Sequence, residues 1–130
     1  MEEARELLQR KGTFAWETGV RLEIAEADRA VLVMEAEPRH QNPSGRIHGG
    51  VLFTLADTAA GLAARSDGRL YVTQNADIHF IRSQSEGLLR AEGTVIHRGR
   101  STCVVRVELT GEDGKLLATA ELTFFCVSPV

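Results

Sequence analysis

The chain has 130 residues, 43% of them hydrophobic and 25% charged, which suits one ordinary globular domain spanning 1–130 and leaves no room for a second. A formal net charge of -3 gives no general attraction for polyanions, so neither nucleic acid nor an anionic membrane surface is expected as a main partner. No apolar run approaches the roughly 20 residues that cross a bilayer, and the opening MEEARELLQRKG lacks the apolar stretch of a secretory signal, so a cytoplasmic protein is expected.

From Glu2 to Lys11, Ala4, Leu7 and Leu8 recur at helical spacing among charges and predict a short amphipathic surface helix ended by Gly12. Val20 to Glu26 and Arg29 to Glu37 alternate apolar and polar residues around Ala27-Asp28, the pattern of a hairpin, and Pro38 closes its second strand. The next segment, HQNPSGRIHGG from His40 to Gly50, has the turn chemistry of an irregular loop. Gly50 to Ala64 is apolar or small almost all round with little β-branching, which predicts a buried helix, and Gly61 within it suggests close approach by another backbone. Beyond Ser66-Asp67-Gly68 the chain alternates as four strands: Leu70 to Arg82, Leu88 to His97, Thr102 to Thr110 and Leu117 to Val127. Short turns separate these strands, so consecutive ones are expected to be antiparallel neighbours, whereas the step from Glu37 to Leu70 contains a helix and is free to cross the sheet. The fold class expected is α+β, a curved antiparallel β-sheet around one central α-helix with a short N-terminal helix. Cys103 and Cys126 sit apart in apolar runs without CxxC spacing, as two buried free thiols would.

Apart from His48, Asp57 is the only ionisable residue between Ile47 and Ala64, and it falls in mid-helix. A buried carboxylate without a partner costs several kcal/mol, and the helix N-terminus that would stabilise it is about two turns away. Either Asp57 faces solvent or pairs with a strand arginine, or it lines a cavity as a base or nucleophile. Phe53, Thr54, Ala60 and Gly61 would flank it with a surface that admits a ligand. Gly49 and Gly50 open the helix, and their N–H groups, unpaired within it, would form an oxyanion or carbonyl site.

Taken together, His40-Gln41-Asn42-Pro43, Gly45, His48-Gly49-Gly50, Phe53 and Leu55-Ala56-Asp57 closely resemble the HxNxxGxxHGGxxFxLAD stretch of PaaI-like acyl-CoA thioesterases, a branch of the hotdog-fold superfamily. The order of elements from about Gly12 to Val127 resembles the hotdog fold too. The resemblance implies hydrolysis of an aromatic, phenylacetyl-like or medium-chain acyl-CoA of the kind met in phenylacetate degradation. It implies no cofactor beyond the CoA of the substrate, and subunits paired into dimers and usually tetramers. In these terms the Gly49 N–H, helped by Asn42, polarises the thioester carbonyl, and Asp57 activates or supplies the attacking oxygen. Thr73 orients water, and His48 lies near the leaving sulfur or braces the loop. Asn42 is equally suited to an Asx-type turn, and Thr73 to an ordinary strand position.

Gly49 and Asp57 are eight residues apart, so one helix separates them by about 12 Å. If both touch one thioester, the second must come from another subunit with its helix antiparallel, which predicts a two-fold dimer with composite sites. Gly50 and Phe53 would line the substrate. Arg98, Arg100 and Ser101 in one turn, with Arg82, are candidates for the phosphates of CoA, and equally for solvated surface charges. The stretch after Arg82 lacks the proline often found in relatives. No metal is expected, because the histidines and cysteines lack ligand spacing, and no GxSxG elbow supports a serine hydrolase. Two alternatives stand beside hydrolysis: a hotdog hydratase or dehydratase, and a non-catalytic acyl-CoA sensor, which would have no use for a costly carboxylate.

Overall fold

The computed structural model describes residues 2–128. Its helices are α1 (Glu2–Leu8), α2 (Phe14–Thr18) and α3 (Gly49–Ala64). Its strands are β1 (Arg21–Glu26), β2 (Arg29–Ala36), β3 (Leu70–Phe80), β4 (Gly87–Arg98), β5 (Thr102–Thr110) and β6 (Leu116–Ser128). The first helix ends three residues short of the expected Lys11. A second, α2, follows that the periodicity did not show, since five residues are too few to display a period. Its signals are local: the Thr13 hydroxyl accepts from the Trp16 N–H at 3.4 Å, and Gly19 ends the helix at φ 86°.

The six strands form one antiparallel sheet in the order β1-β2-β4-β5-β6-β3. The β1–β2, β4–β5 and β5–β6 neighbours follow from their short turns. The expected pairing of β3 with β4 is not formed: β3 pairs with β6 at the far edge, and β4 joins β2. The cause lies in the link between them, where the N–H groups of Ile81 and Arg82 both donate to the Leu117 carbonyl, at 2.8 and 3.1 Å. The chain therefore leaves β3 extended across the end of β6 instead of turning back. Its six residues, 81–86, reach about 20 Å, more than the roughly 14 Å across three strand spacings.

Helix α3 lies in the concave face of the sheet, with Leu55, Ala59, Ala63 and Ala64 fully buried. It is not covered on all sides as its composition predicts. Gly50 and Phe53 are exposed and Thr54, Asp57, Gly61 and Arg65 half-buried, an open stripe at i, i+3, i+4 spacing. Small residues on the covered side let the sheet close in, and the tightest approach is at Gly93 rather than Gly61. A Cβ on Gly93 would stand 3.2 Å from the Ala59 carbonyl oxygen, whereas one on Gly61 would meet only the Phe124 ring at 3.8 Å.

Candidate active site

Asp57 stands on that open stripe, half-buried, and the Thr73 hydroxyl on β3 donates to its Oδ1 at 2.7 Å. The carboxylate is thus neither sunk among apolar neighbours nor paired with an arginine. It reaches solvent on one side and a neutral donor on the other, which removes most of the burial cost the sequence suggested. β3 is an edge strand and carries the exposed apolar residues Leu70, Val72 and Phe80.

The loop before α3 is held by its own polar side chains. Asn42 Oδ1 accepts from the N–H groups of Ser44 and Arg46, at 2.9 and 3.1 Å, which is the Asx-type turn among the two readings of this residue. His40 is 5% exposed, its Nδ1 accepting from the Glu37 N–H and its Nε2 donating to the Thr18 carbonyl, each at 2.9 Å. The Glu37 donor fixes that tautomer. The His40 carbonyl accepts from the His48 N–H at 2.9 Å, so a residue known from sequence only as part of a motif ties α2 and β2 to the start of α3. His48 caps the helix, its Nδ1 accepting from the Gly50 N–H at 2.8 Å. This corrects the pairing of Gly49 with Gly50 as donors: the Gly50 N–H is engaged, and the Gly49 N–H alone has no acceptor among the described residues. A side chain at Gly49 would press on the Phe80 ring, 3.2 Å away.

A groove of about 420 Å³ runs along this end of α3, lined by Asn42, Arg46, Gly49, Phe80, Ile81 and Arg82. It brings together three of the residues singled out from sequence: Asn42, Gly49 and Arg82. It does not include Asp57, two turns along the helix, or its partner Thr73 on β3. Phe80 and Ile81 were not singled out as site residues in the sequence because their place depends on the crossing of β6.

Arg98 does not reach out as a phosphate ligand. Its guanidinium donates to the Ala64 and Ala63 carbonyls at 2.8 and 3.1 Å, closing the C-terminal end of α3, and pairs with Asp28 and Asp67 at 2.8 and 2.9 Å. Desolvation opposes ionisation of Asp67, but the Tyr71 hydroxyl, the Arg69 N–H and guanidinium and the Arg98 charge together lower its pKa to about 2. Burial first, and then the hydrogen bond to Asp67, pushes the Tyr71 phenol up to about 12. Arg100 and Ser101 are exposed on the same turn. That turn lies at the opposite end of the 16-residue helix from Arg82, about 24 Å away. Among the described residues there is no cluster of three or more His, Cys, Asp or Glu able to hold a metal, and no helix is long and apolar enough to cross a membrane.

The family model described as the thioesterase superfamily matches residues 44–118, more than half of the chain. The chain belongs to the thioesterase superfamily. Its fold is the hotdog fold and its likeness is to the PaaI branch: it is 36% identical to the acyl-coenzyme A thioesterase PaaI of Escherichia coli over 90 residues, 68% of this chain and 64% of that one. The solved E. coli PaaI structure superposes with a TM-score of 0.92 at 26% identity, covering 99% of this chain and 94% of that one. The 1,4-dihydroxy-2-naphthoyl-CoA hydrolase of Listeria monocytogenes is 30% identical over 108 residues, 81% of this chain and 88% of that one. A thioesterase of Streptococcus pneumoniae solved with coenzyme A has a TM-score of 0.84 at 28% identity, covering 88% of this chain and 91% of that one. The S. pneumoniae protein has also been solved as two alanine mutants, one at an aspartate and one at a threonine 16 positions later. This thioesterase is an enzyme of acyl-CoA hydrolysis.

Proposed function

We propose that the thioesterase cleaves aromatic, phenylacetyl-like or medium-chain acyl-CoA in composite sites shared by two subunits, with Asp57 as general base or nucleophile. The observation that carries this is the Thr73 bond to Asp57 Oδ1 on the one uncovered stripe of α3. It fixes one carboxylate oxygen and leaves Oδ2 to meet a water or the thioester carbon. The same separation of 16 residues, between an aspartate and a threonine, was chosen for mutation in the S. pneumoniae protein. The name of the L. monocytogenes relative, and the phenylacetic acid degradation operon from which the E. coli protein comes, favour an aromatic acyl group.

The attacking oxygen bonds to the carbonyl carbon as charge builds on the carbonyl oxygen, which the Gly49 N–H stabilises with help from the Asn42 amide nitrogen. The C–S bond then breaks and the CoA thiolate leaves, taking up the proton that Asp57 removed from water; where Asp57 itself attacks, water then hydrolyses the resulting anhydride and supplies that proton. Because about 12 Å of helix separates Gly49 from Asp57, the donor and the base at one thioester come from different subunits with α3 antiparallel. In that arrangement position 53, midway between them, falls on the two-fold axis. The exposed Phe53 then meets its symmetry mate, and the open edge of β3 is covered. The same symmetry carries Arg82 of one protomer toward the partner's Arg100 and Ser101, so that CoA phosphates bind between them. Pairing of dimers into a tetramer and a cytoplasmic setting complete the reading.

A sensor that binds without turnover is the competing account, and Asp57→Asn separates the two. The variant should lose about 10²–10⁴-fold in kcat while still binding CoA esters, because the base goes and the shape stays. Equal turnover by variant and wild type would remove Asp57 from the chemistry.

A further inference from the structure

The turn from Arg98 to Ser101 is shaped from outside itself. Arg69, at the start of the edge strand, donates through Nη1 to the Arg100 carbonyl at 2.8 Å and through Nη2 to the Gly99 carbonyl at 3.0 Å. Its Nε pairs with Asp67 Oδ2 at 2.8 Å, and its guanidinium carbon lies 5.3 Å from the centre of the Tyr71 ring. Asp67 is itself held by the Tyr71 hydroxyl at 2.7 Å and by Arg98 at 2.9 Å. Every nitrogen of the Arg69 guanidinium is therefore engaged within the chain, and the side chain is only 17% exposed.

Three arginines thus meet at one turn, which is costly unless something repays the repulsion. Asp67 and Asp28 neutralise Arg69 and Arg98. Arg100 is exposed and has no carboxylate within ion-pair distance among the described residues. The turn is held rigid, carries one uncompensated cation and sets the Ser101 hydroxyl beside it, which is the chemistry of a preorganised phosphate contact.

We infer that Arg69 is a positioning residue for coenzyme A: by clamping the Gly99 and Arg100 carbonyls it holds Arg100 and Ser101 in the conformation that receives a phosphate of the substrate. This rests on the proposed acyl-CoA site. The fork geometry matters, since one planar group reaches two carbonyls and a carboxylate at once, which a lysine ammonium on a flexible stem does not reproduce.

The test compares kcat/KM for an acyl-CoA with that for the matching S-acylpantetheine, which keeps the thioester and lacks the nucleotide phosphates. For Arg69→Met the ratio of CoA to pantetheine ester should fall about tenfold, the size expected for one charge-assisted contact, and Arg69→Lys should not rescue it. Arg100→Ala should lower the ratio similarly, and the double variant should lose clearly less than the product of the two single losses, because both changes act on the same contact. An equal loss on both esters, or additive losses in the double variant, would overturn the inference by showing that Arg69 serves only the fold. Arg69→Lys supplies the reading should Arg69→Met fail to fold. Wild type that cleaves both esters equally well would overturn it as well, leaving hydrolysis intact, whereas wild type that cleaves neither would remove the proposed function itself.

Discussion

The Thr73 hydroxyl lies 2.7 Å from Asp57 Oδ1, joining the edge strand to the open stripe of the central helix. One carboxylate oxygen is thereby anchored and the rotation of the side chain restricted, so the other oxygen points in a set direction. Thr73→Val keeps the shape and removes the donor. It should lower kcat about 10–100-fold with little change in KM, while Thr73→Ser should retain most activity. Steady-state kinetics on the three proteins decide it, and an unchanged kcat in the valine variant would reduce Thr73 to an ordinary strand residue.

A second expectation concerns acid. Folding lowers the Asp67 pKa from 3.8 to about 2, so the unfolded chain binds its proton first as pH falls. The stabilisation is present in full above the unfolded value and disappears between roughly pH 5 and pH 2. With the side chain 22% exposed and solvent screening allowed for, it amounts to about 1–2 kcal/mol. Denaturant melts of wild type and Asp67→Asn should therefore differ at pH 7 and converge near pH 2. A gap that stays constant across this range would mean that the ionised form contributes nothing.

The third expectation separates two glycines. Gly93→Ala would set a methyl 3.2 Å from the Ala59 carbonyl oxygen and 3.4 Å from the Ala60 Cα, both backbone atoms that cannot swing aside. It should cost about 1–3 kcal/mol. Gly61→Ala meets only a ring carbon at 3.8 Å and should be neutral or stabilising to the fold of this chain. Thermal melts check the order of the two variants.

Local pattern carried most of the elements. The hairpin around Asp28, the long helix and the last three strands lie within a residue or two of where alternation and turn residues put them. What failed was whatever depends on a distant partner. The placing of β3 beside β6 is decided by where Leu117 offers its carbonyl to Ile81 and Arg82, and no feature of residues 81–87 reveals it. Arg98 looked like its neighbour Arg100 because both stand in one turn, yet only Arg98 points back to Ala63 and Ala64. Asp57 and Gly49 stand out as candidates because a lone acid in an apolar helix and a glycine pair at its start are local signals. That His48 uses the Gly50 N–H was not legible, since two glycines in sequence give no sign of which amide is capped.

The shared site is tested most directly by complementation. Asp57→Asn removes the base and Gly49→Val obstructs the carbonyl donor, and each protein alone should be nearly inactive. Co-expressed in equal amounts, they should form hybrid dimers in half the population, each with one intact site, and recover about a quarter of wild-type turnover. Activity no greater than that of the two parents, in a preparation shown to contain hybrids, would place Gly49 and Asp57 of the same subunit at one thioester and contradict the account.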